Sequence, residues 1–191
     1  MKQVFIIEHL ERRVGRWCLV EYGHISRMVG KDNLWITNVK LGGKRFAKLG
    51  KVFKKSVKDL NLDWKEVCVL DPDADKTLNG KEAKKFKYFV FGGILGDYPP
   101  RKRTEKELTR FLPKAKKRNI GKEQMATDNA VYVVLQIAKG KEFEKMEFKD
   151  GTEIEMREGE SVILPFRYVL VDGKPMISKE IVSYLKRKKG F

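Results

Sequence analysis

An α/β fold, with a mostly parallel sheet and helices on both faces, is the architecture this sequence predicts. Three observations carry the expectation. Apolar strand-like runs alternate with helix-period segments through residue 139, the pattern of a sheet built from strand–helix crossovers. No Ser/Gly/Pro-rich linker, low-complexity stretch or internal repeat divides the chain, and 191 residues at 41% hydrophobic suffice for one substantial core. Residues 1–191 therefore read as a single domain. Beyond residue 139 the grammar changes to strands punctuated by turns and a closing helix, a C-terminal hairpin and helix over 145–191.

Each element follows from its residues. Gln3–Glu8 is a short apolar strand; its single preceding lysine and early glutamate do not make a signal peptide. Cys18–Val29 sets Leu19, Tyr22, Ile25, Ser26 and Val29 on one helical face, and Gly30 ends it. Leu34–Thr37 reads as a second strand. In Arg45–Leu60 the residues Phe46, Leu49, Phe53, Val57 and Leu60 recur at three- and four-residue steps with lysines opposite, predicting an amphipathic helix. Glu66–Leu70 is a third strand, stopped by Asp71-Pro72. A short helix, Lys81–Phe86, leads into the strand Lys87–Phe91. Thr104–Leu112 is a helix with Thr104 as N-cap and Glu107 as its capping-box partner. A strand near Lys117–Ile120 feeds a helix from Thr127 to Lys139. Lys145–Lys149 and Thr152–Met156 flank Asp150-Gly151, a hairpin signal. Phe166–Val171 meets a second Asp-Gly at 172–173, and a helix spans Ser178–Lys188.

Composition narrows the partners. The net charge of +16, from 42 Lys+Arg against 26 Asp+Glu, raises the local concentration of polyanions and points to RNA or a ribosomal surface. A heavily charged, thermophile-like surface is the competing reading. Lys114–Arg118 and Lys186–Lys189 read as solvated charge runs. Cys18 and Cys68 sit in apolar contexts as reduced thiols, which fits a cytoplasmic protein. With His9 and His24 the only histidines and no Cys cluster, no metal site is expected. The apolar runs, such as Val131–Leu135, are too short to span a bilayer.

Two glycine loops hold the chemistry. Phe89-Val90-Phe91-Gly92-Gly93-Ile94-Leu95-Gly96-Asp97-Tyr98-Pro99-Pro100-Arg101 turns from an apolar strand into glycines, a carboxylate and a rigid Pro-Pro. Arg118-Asn119-Ile120-Gly121-Lys122-Glu123-Gln124-Met125-Ala126-Thr127-Asp128 is a second glycine turn, opening onto an apolar helix. Glycines let backbone approach a ligand, though a strand ending in a tight turn needs them equally. Thr127 and Asp128 suit a helix N-terminus with or without a ligand. The two loops are expected to form opposite walls of one pocket.

Both loops resemble the SPOUT (α/β-knot) methyltransferases. More narrowly, they are similar to the family of S-adenosylmethionine-dependent methyltransferases that includes a fungal enzyme modifying an arginine of a small-subunit ribosomal protein. Ile6-Ile7-Glu8-His9-Leu10-Glu11, Leu19-Val20-Glu21-Tyr22, Leu70-Asp71-Pro72 and Leu164-Pro165-Phe166-Arg167-Tyr168-Val169 share the likeness in the same order, so it covers nearly the whole chain. The resemblance implies a trefoil knot from about residue 88 to 140 and pairing through it as a homodimer. It implies S-adenosyl-L-methionine as cofactor, held by Leu70, Asp71, Phe91, Gly92, Gly93, Ile94, Gly96, Asp97, Arg118, Ile120, Gly121, Gln124, Met125 and Thr127.

A guanidinium acceptor must lose a proton during transfer. Asp97 is the carboxylate expected to orient it and take that proton, with Glu8 and Glu21 as second and third; a solvated or structural glutamate is the rival reading of Glu21. Arg101, His9 and Arg167 are the substrate-side candidates, Arg101 and Arg103 being equally readable as a solvated basic loop and His9 as a structural histidine. The expected reaction is methyl transfer to an arginine of a ribosomal protein. A tRNA or rRNA acceptor, and a non-catalytic RNA- or ribosome-binding protein of the same fold, are the rivals. Convergence of Asp97, Glu8 and Glu21 favours guanidinium, and a lone carboxylate in a basic funnel favours RNA.

Overall fold

The computed structural model describes residues 2–99, 101–157 and 160–187. Six parallel strands form the central sheet in the order β3-β2-β1-β5-β4-β6: β1 (Val4–His9), β2 (Leu34–Thr37), β3 (Lys51–Val52), β4 (Val67–Leu70), β5 (Tyr88–Gly93) and β6 (Lys116–Arg118). Side chains alternate across it as a pleated strand requires. Phe5, Ile7, Cys68, Leu70, Phe89 and Phe91 pack on one face with helices α1 (Arg16–Val29) and α4 (Thr127–Ala138). Val4, Ile6, Val67, Val69, Tyr88 and Val90 pack on the other. That second face is covered by Val57, Leu62, Leu108, Leu112 and Ala115, from 3-10 turns and their flanks beside the five-residue helix α3 (Arg103–Glu107), not by long helices.

Residues Arg45–Leu60 are not a helix. They begin at the end of a 3-10 turn (Gly43–Arg45) and contain strand β3 and a second 3-10 turn at Val57–Asp59. The apolar period arises because the segment feeds two cores: Phe46 packs with α1, Val57 beneath the opposite face. Gly50 lets the chain run against β2, for a Cβ there would stand 2.4 Å from the Leu34 carbonyl oxygen. The predicted capping box at Thr104 is also absent. Left-handed Lys102 precedes α3, and the Glu107 carboxylate is taken by Arg103, 2.7 and 3.2 Å from its guanidinium nitrogens.

Asp150-Gly151 makes no hairpin turn. It is an irregularity inside the long strand β7 (Phe148–Arg157), where Gly151 adopts φ +71°; a glycine there lets the strand bulge and continue. β7 pairs antiparallel with β8 (Glu160–Val171), which turns at Asp172-Gly173 (φ +51° and +72°) into β9 (Lys174–Pro175). Helix α5 (Lys179–Arg187) buries Ile181 and Leu185 against Ile154, Leu164 and Tyr168; the expected end at Lys188 lies outside the described residues. The remaining boundaries shift by one or two residues at most of their ends. The helix expected over Lys81–Phe86 is the shorter α2 (Gly80–Ala83), capped by Asn79. Among the described residues no helix is long and apolar enough to cross a membrane.

Candidate functional site

The loops leaving the C-terminal ends of β4, β5 and β6 enclose a cleft of about 240 Å³, where parallel sheets commonly hold ligands. β4 contributes Leu70 and then Asp71, Pro72 and Asp73; β5 contributes Phe91 and Gly92, then Ile94, Gly96, Asp97 and Arg101 to Thr104; the stretch after β6 contributes Ile120 to Met125, with Thr127 and Ala130 from α4. Both glycine loops therefore do wall one pocket.

Buried Asn119 ties the walls together. Its amide donates to the Ala74 carbonyl (2.7 Å), while its oxygen accepts from Thr77 (2.9 Å) and from the Gly121 backbone (3.1 Å). The Asp71 backbone N–H donates to the Arg118 carbonyl at 2.9 Å. Lys122 reaches the Ala74 carbonyl (2.6 Å), and the Gln124 amide approaches the Asp97 carbonyl at 3.4 Å. Gly96 is required by this closure. A Cβ there would lie 2.3 Å from Gln124 Nε2 and 2.6 Å from the Phe166 ring.

Arg103 organises the β5 loop. Besides Glu107, it donates to Glu11 (3.1 Å) and the Leu95 carbonyl (3.3 Å), and its Nη1 stands 3.9 Å from Asp97 Oδ2. Hydrogen bonding to Glu107 raises its pKa further, so it stays charged. Glu11 also accepts from the Leu95 backbone N–H at 2.9 Å. Asp97 remains 30% exposed at the cleft wall. Sequence reasoning left Arg103 as a loop cation and gave Asn119 and Glu11 no role, although all three lie in or beside the family-like segments.

The other expected residues divide by position. Leu70, Asp71, Phe91, Gly92, Ile94, Gly96, Asp97, Ile120, Gly121, Gln124, Met125, Thr127 and Arg101 line the cleft. Gly93, Arg118, Glu8, Glu21, His9 and Arg167 are absent from its lining. Gly93 faces the core, where a Cβ would stand 2.1 Å from the Tyr22 hydroxyl. Arg118 clasps Glu82 of α2 at 2.5 and 2.9 Å, and this pairing holds the Glu82 carboxyl below its ordinary range. Arg167 grips Asp150 at 2.6 and 2.8 Å, and its backbone N–H braces the Gln124 carbonyl at 2.9 Å. His9 is buried, with Nδ1 3.1 Å from the Tyr22 hydroxyl, and burial lowers its pKa. Glu8, only 3% exposed, accepts from Thr37, from Ser56 (2.5 Å) and from the Val57 backbone (2.9 Å).

Glu21 stands one layer behind the cleft. Its Oε1 accepts from the Thr127 backbone N–H at 2.9 Å, holding the start of α4. Burial first, and then the negative Asp128 nearby, push its carboxyl up to about 8. Asp128 itself is held by His24 (2.7 Å) and by the Asn129 backbone and amide (2.8 and 3.0 Å). Asp97, Glu8 and Glu21 thus do not converge, but neither does Asp97 stand alone: Asp71, Asp73 and Glu123 share its cleft.

This lining fits S-adenosylmethionine. Leu70, Phe91, Ile94, Ile120, Met125 and Ala130 offer apolar faces to a flat base, while the carboxylates suit ribose hydroxyls and a positive sulfonium. Among the described residues, no group of three or more His, Cys, Asp or Glu is arranged to hold a metal ion.

Protein arginine N-methyltransferase SFM1 of Saccharomyces cerevisiae is 38% identical over 200 aligned positions, spanning 96% of this chain and 94% of that protein. Crystal structures of the yeast arginine methyltransferase SFM1 with SAH and with SAM are each 36% identical and superpose with a TM-score of 0.87, over 96% and 98% of this chain and 94% and 91% of theirs. The dual specific Trm10 of Thermococcus kodakaraensis, 17% identical, superposes with a TM-score of 0.60 over 75% of this chain and 96% of its own, a likeness of fold. Residues 4–190 match the SFM1-like family of protein arginine N-methyltransferases, and the chain belongs to that family.

Proposed function

We propose that this chain is an S-adenosylmethionine-dependent methyltransferase acting on an arginine of a ribosomal protein. The observation that carries the reading is Asp97, set in the wall of a cleft built from both glycine loops, in a chain of the arginine methyltransferase family. The cofactor supplies a methyl group on a cationic sulfonium. Leu70, Phe91, Ile120 and Met125 hold its base, Gly96 lets the two loops close around it, and Asp71 and Glu123 offer acceptors to its polar groups. Asp97 orients the guanidinium. As the new N–C bond forms and the C–S bond breaks, the nitrogen's proton passes to the Asp97 carboxylate and on to water. Arg103 keeps that carboxylate aligned, and holding both reactants in line contributes about 7–11 kcal/mol of barrier lowering.

The basic charge of +16 supports a ribosomal acceptor, since such proteins are presented beside RNA. The Trm10 likeness and the family-like segments support assignment to the SPOUT class, as one domain with a trefoil knot over about 88–140. The same reading carries a homodimer through the knot region, which sedimentation velocity tests, and the two free buried thiols suit the cytoplasm. The deciding experiment is transfer of tritiated methyl from S-adenosylmethionine to small-subunit ribosomal proteins and, separately, to total RNA. Label recovered as methylarginine supports the proposal; label in RNA alone, or none despite cofactor binding, refutes it.

A further inference from the structure

The C-terminal edge of the parallel sheet carries a second cleft. The β4–β6 half holds the cofactor cleft; the β1–β3 half opens into a cavity of about 340 Å³. Its lining comes from Glu8 near the end of β1 and Leu10 just after it, Asn38 and Lys40 after β2, Lys54 to Asp59 after β3, and Glu107, Leu108, Phe111 and Leu112 at and beyond the end of α3. The clefts share a wall: Arg103 lines the first, and Glu107, its partner at 2.7 Å, lines the second.

We propose that this second cleft binds single-stranded RNA, with its lysines on phosphates and Phe111 stacked against a base. Residues 40–58 contain eight Lys and Arg and no Asp or Glu. Lys40, Lys54, Lys55 and Lys58 are exposed around the cavity, and among the described residues none of them is in an ion pair. Three carboxylates also line it. Glu107 is engaged by Arg103, and Asp59 is exposed beside Lys58 in sequence. Glu8 lies buried at the floor, where its bonds from Thr37, Ser56 and Val57 tie the lysine loop to the end of β1. Glu8 is thus a positioning residue for the cations, which explains a buried carboxylate outside the cofactor cleft.

Phe111 favours nucleic acid over an acidic peptide. Its ring is 48% exposed, with the Lys58 ammonium 5.0 Å and the Arg110 guanidinium 5.4 Å from its centre. An exposed aromatic among cations is the arrangement on which bases stack while phosphates are neutralised. Neither feature depends on the methyl-transfer reading, so the two proposals fail separately.

Fluorescence anisotropy of a labelled short oligouridylate, titrated across a salt series, tests it. Replacing Lys54, Lys55 and Lys58 together by glutamine is expected to weaken binding ~10–100-fold and to lower the salt slope by about 2, at roughly 0.7 per phosphate contact on a single strand. Phe111→Ala is expected to weaken binding ~10-fold with the slope unchanged, the signature of stacking. The matched control replaces exposed Lys81, Lys84 and Lys141, outside this cleft, by glutamine. Wild-type binding in the triple variant, an equal loss in the control, or displacement of the RNA by a lower concentration of polyglutamate than of unlabelled oligouridylate overturns the proposal.

Discussion

Two glycines three residues apart should fail in different ways when each gains one methyl group. A Cβ at Gly93 would lie 2.1 Å from the Tyr22 hydroxyl, 2.8 Å from Ile7 Cγ2 and 3.0 Å from the Glu8 carbonyl. Tyr22 and Ile7 are buried in the principal core, so nothing there yields cheaply. Overpacking costs about 1–3 kcal/mol, and loss of the Tyr22–His9 hydrogen bond (3.1 Å) adds ~1 kcal/mol. At about 2–4 °C per kcal/mol for a chain of this size, Gly93→Ala should lower Tm by roughly 4–16 °C. Gly96→Ala meets Gln124 Nε2 at 2.3 Å and Phe166 at 2.6 Å, on the rim of the cofactor cleft. Gln124 swings away easily, but doing so separates the two loops. The same ~1–3 kcal/mol then falls on the bound geometry and weakens binding by ~5–150-fold. Scanning calorimetry and isothermal titration with S-adenosylhomocysteine read the two effects independently. Gly93→Ala with normal Tm and lost affinity, or Gly96→Ala with undiminished affinity, would refute this division of roles.

Three further outcomes follow from the same geometry. Asp97→Asn should slow single-turnover methyl transfer to an arginine peptide by ~10²–10⁴-fold while the protein stays folded; an undiminished rate removes Asp97 from proton transfer. Because the Glu21 carboxyl is raised from 4.5 to about 8, the folded state holds an extra proton between those values, and stability should fall as pH rises through that window. Glu21→Gln keeps an acceptor for Thr127, so it should flatten that fall in denaturant titrations; an unchanged profile contradicts the assignment. Arg118→Met should lower stability by about 1 kcal/mol through the loss of its partly buried pair with Glu82, with affinity for S-adenosylhomocysteine within about twofold; a large loss of affinity would return Arg118 to the cofactor site.

Local sequence determined much of this protein. The apolar strands, the helices at Arg16–Val29 and Thr127–Ala138, and the loops at Gly92–Asp97 and Ile120–Thr127 were all legible, because period, glycine and proline act within a few residues. What failed depended on contacts distant in the chain. The helical period of Arg45–Leu60 was real, but Phe46 and Val57 enter cores on opposite faces of the sheet, and only the assembled sheet could separate them. Asp150-Gly151 has the chemistry of a turn, yet pairing with β8 carries the strand through it as a bulge. Glu8 and Glu21 sit within family-like segments, but their hydrogen bonds to the lysine loop and to the start of α4 come from residues distant in the chain, and only the folded structure shows them. Sequence named the residue types that can surround a charged cofactor. Which of them share one cleft was decided by strand order, since β4, β5 and β6 are neighbours only in the folded sheet.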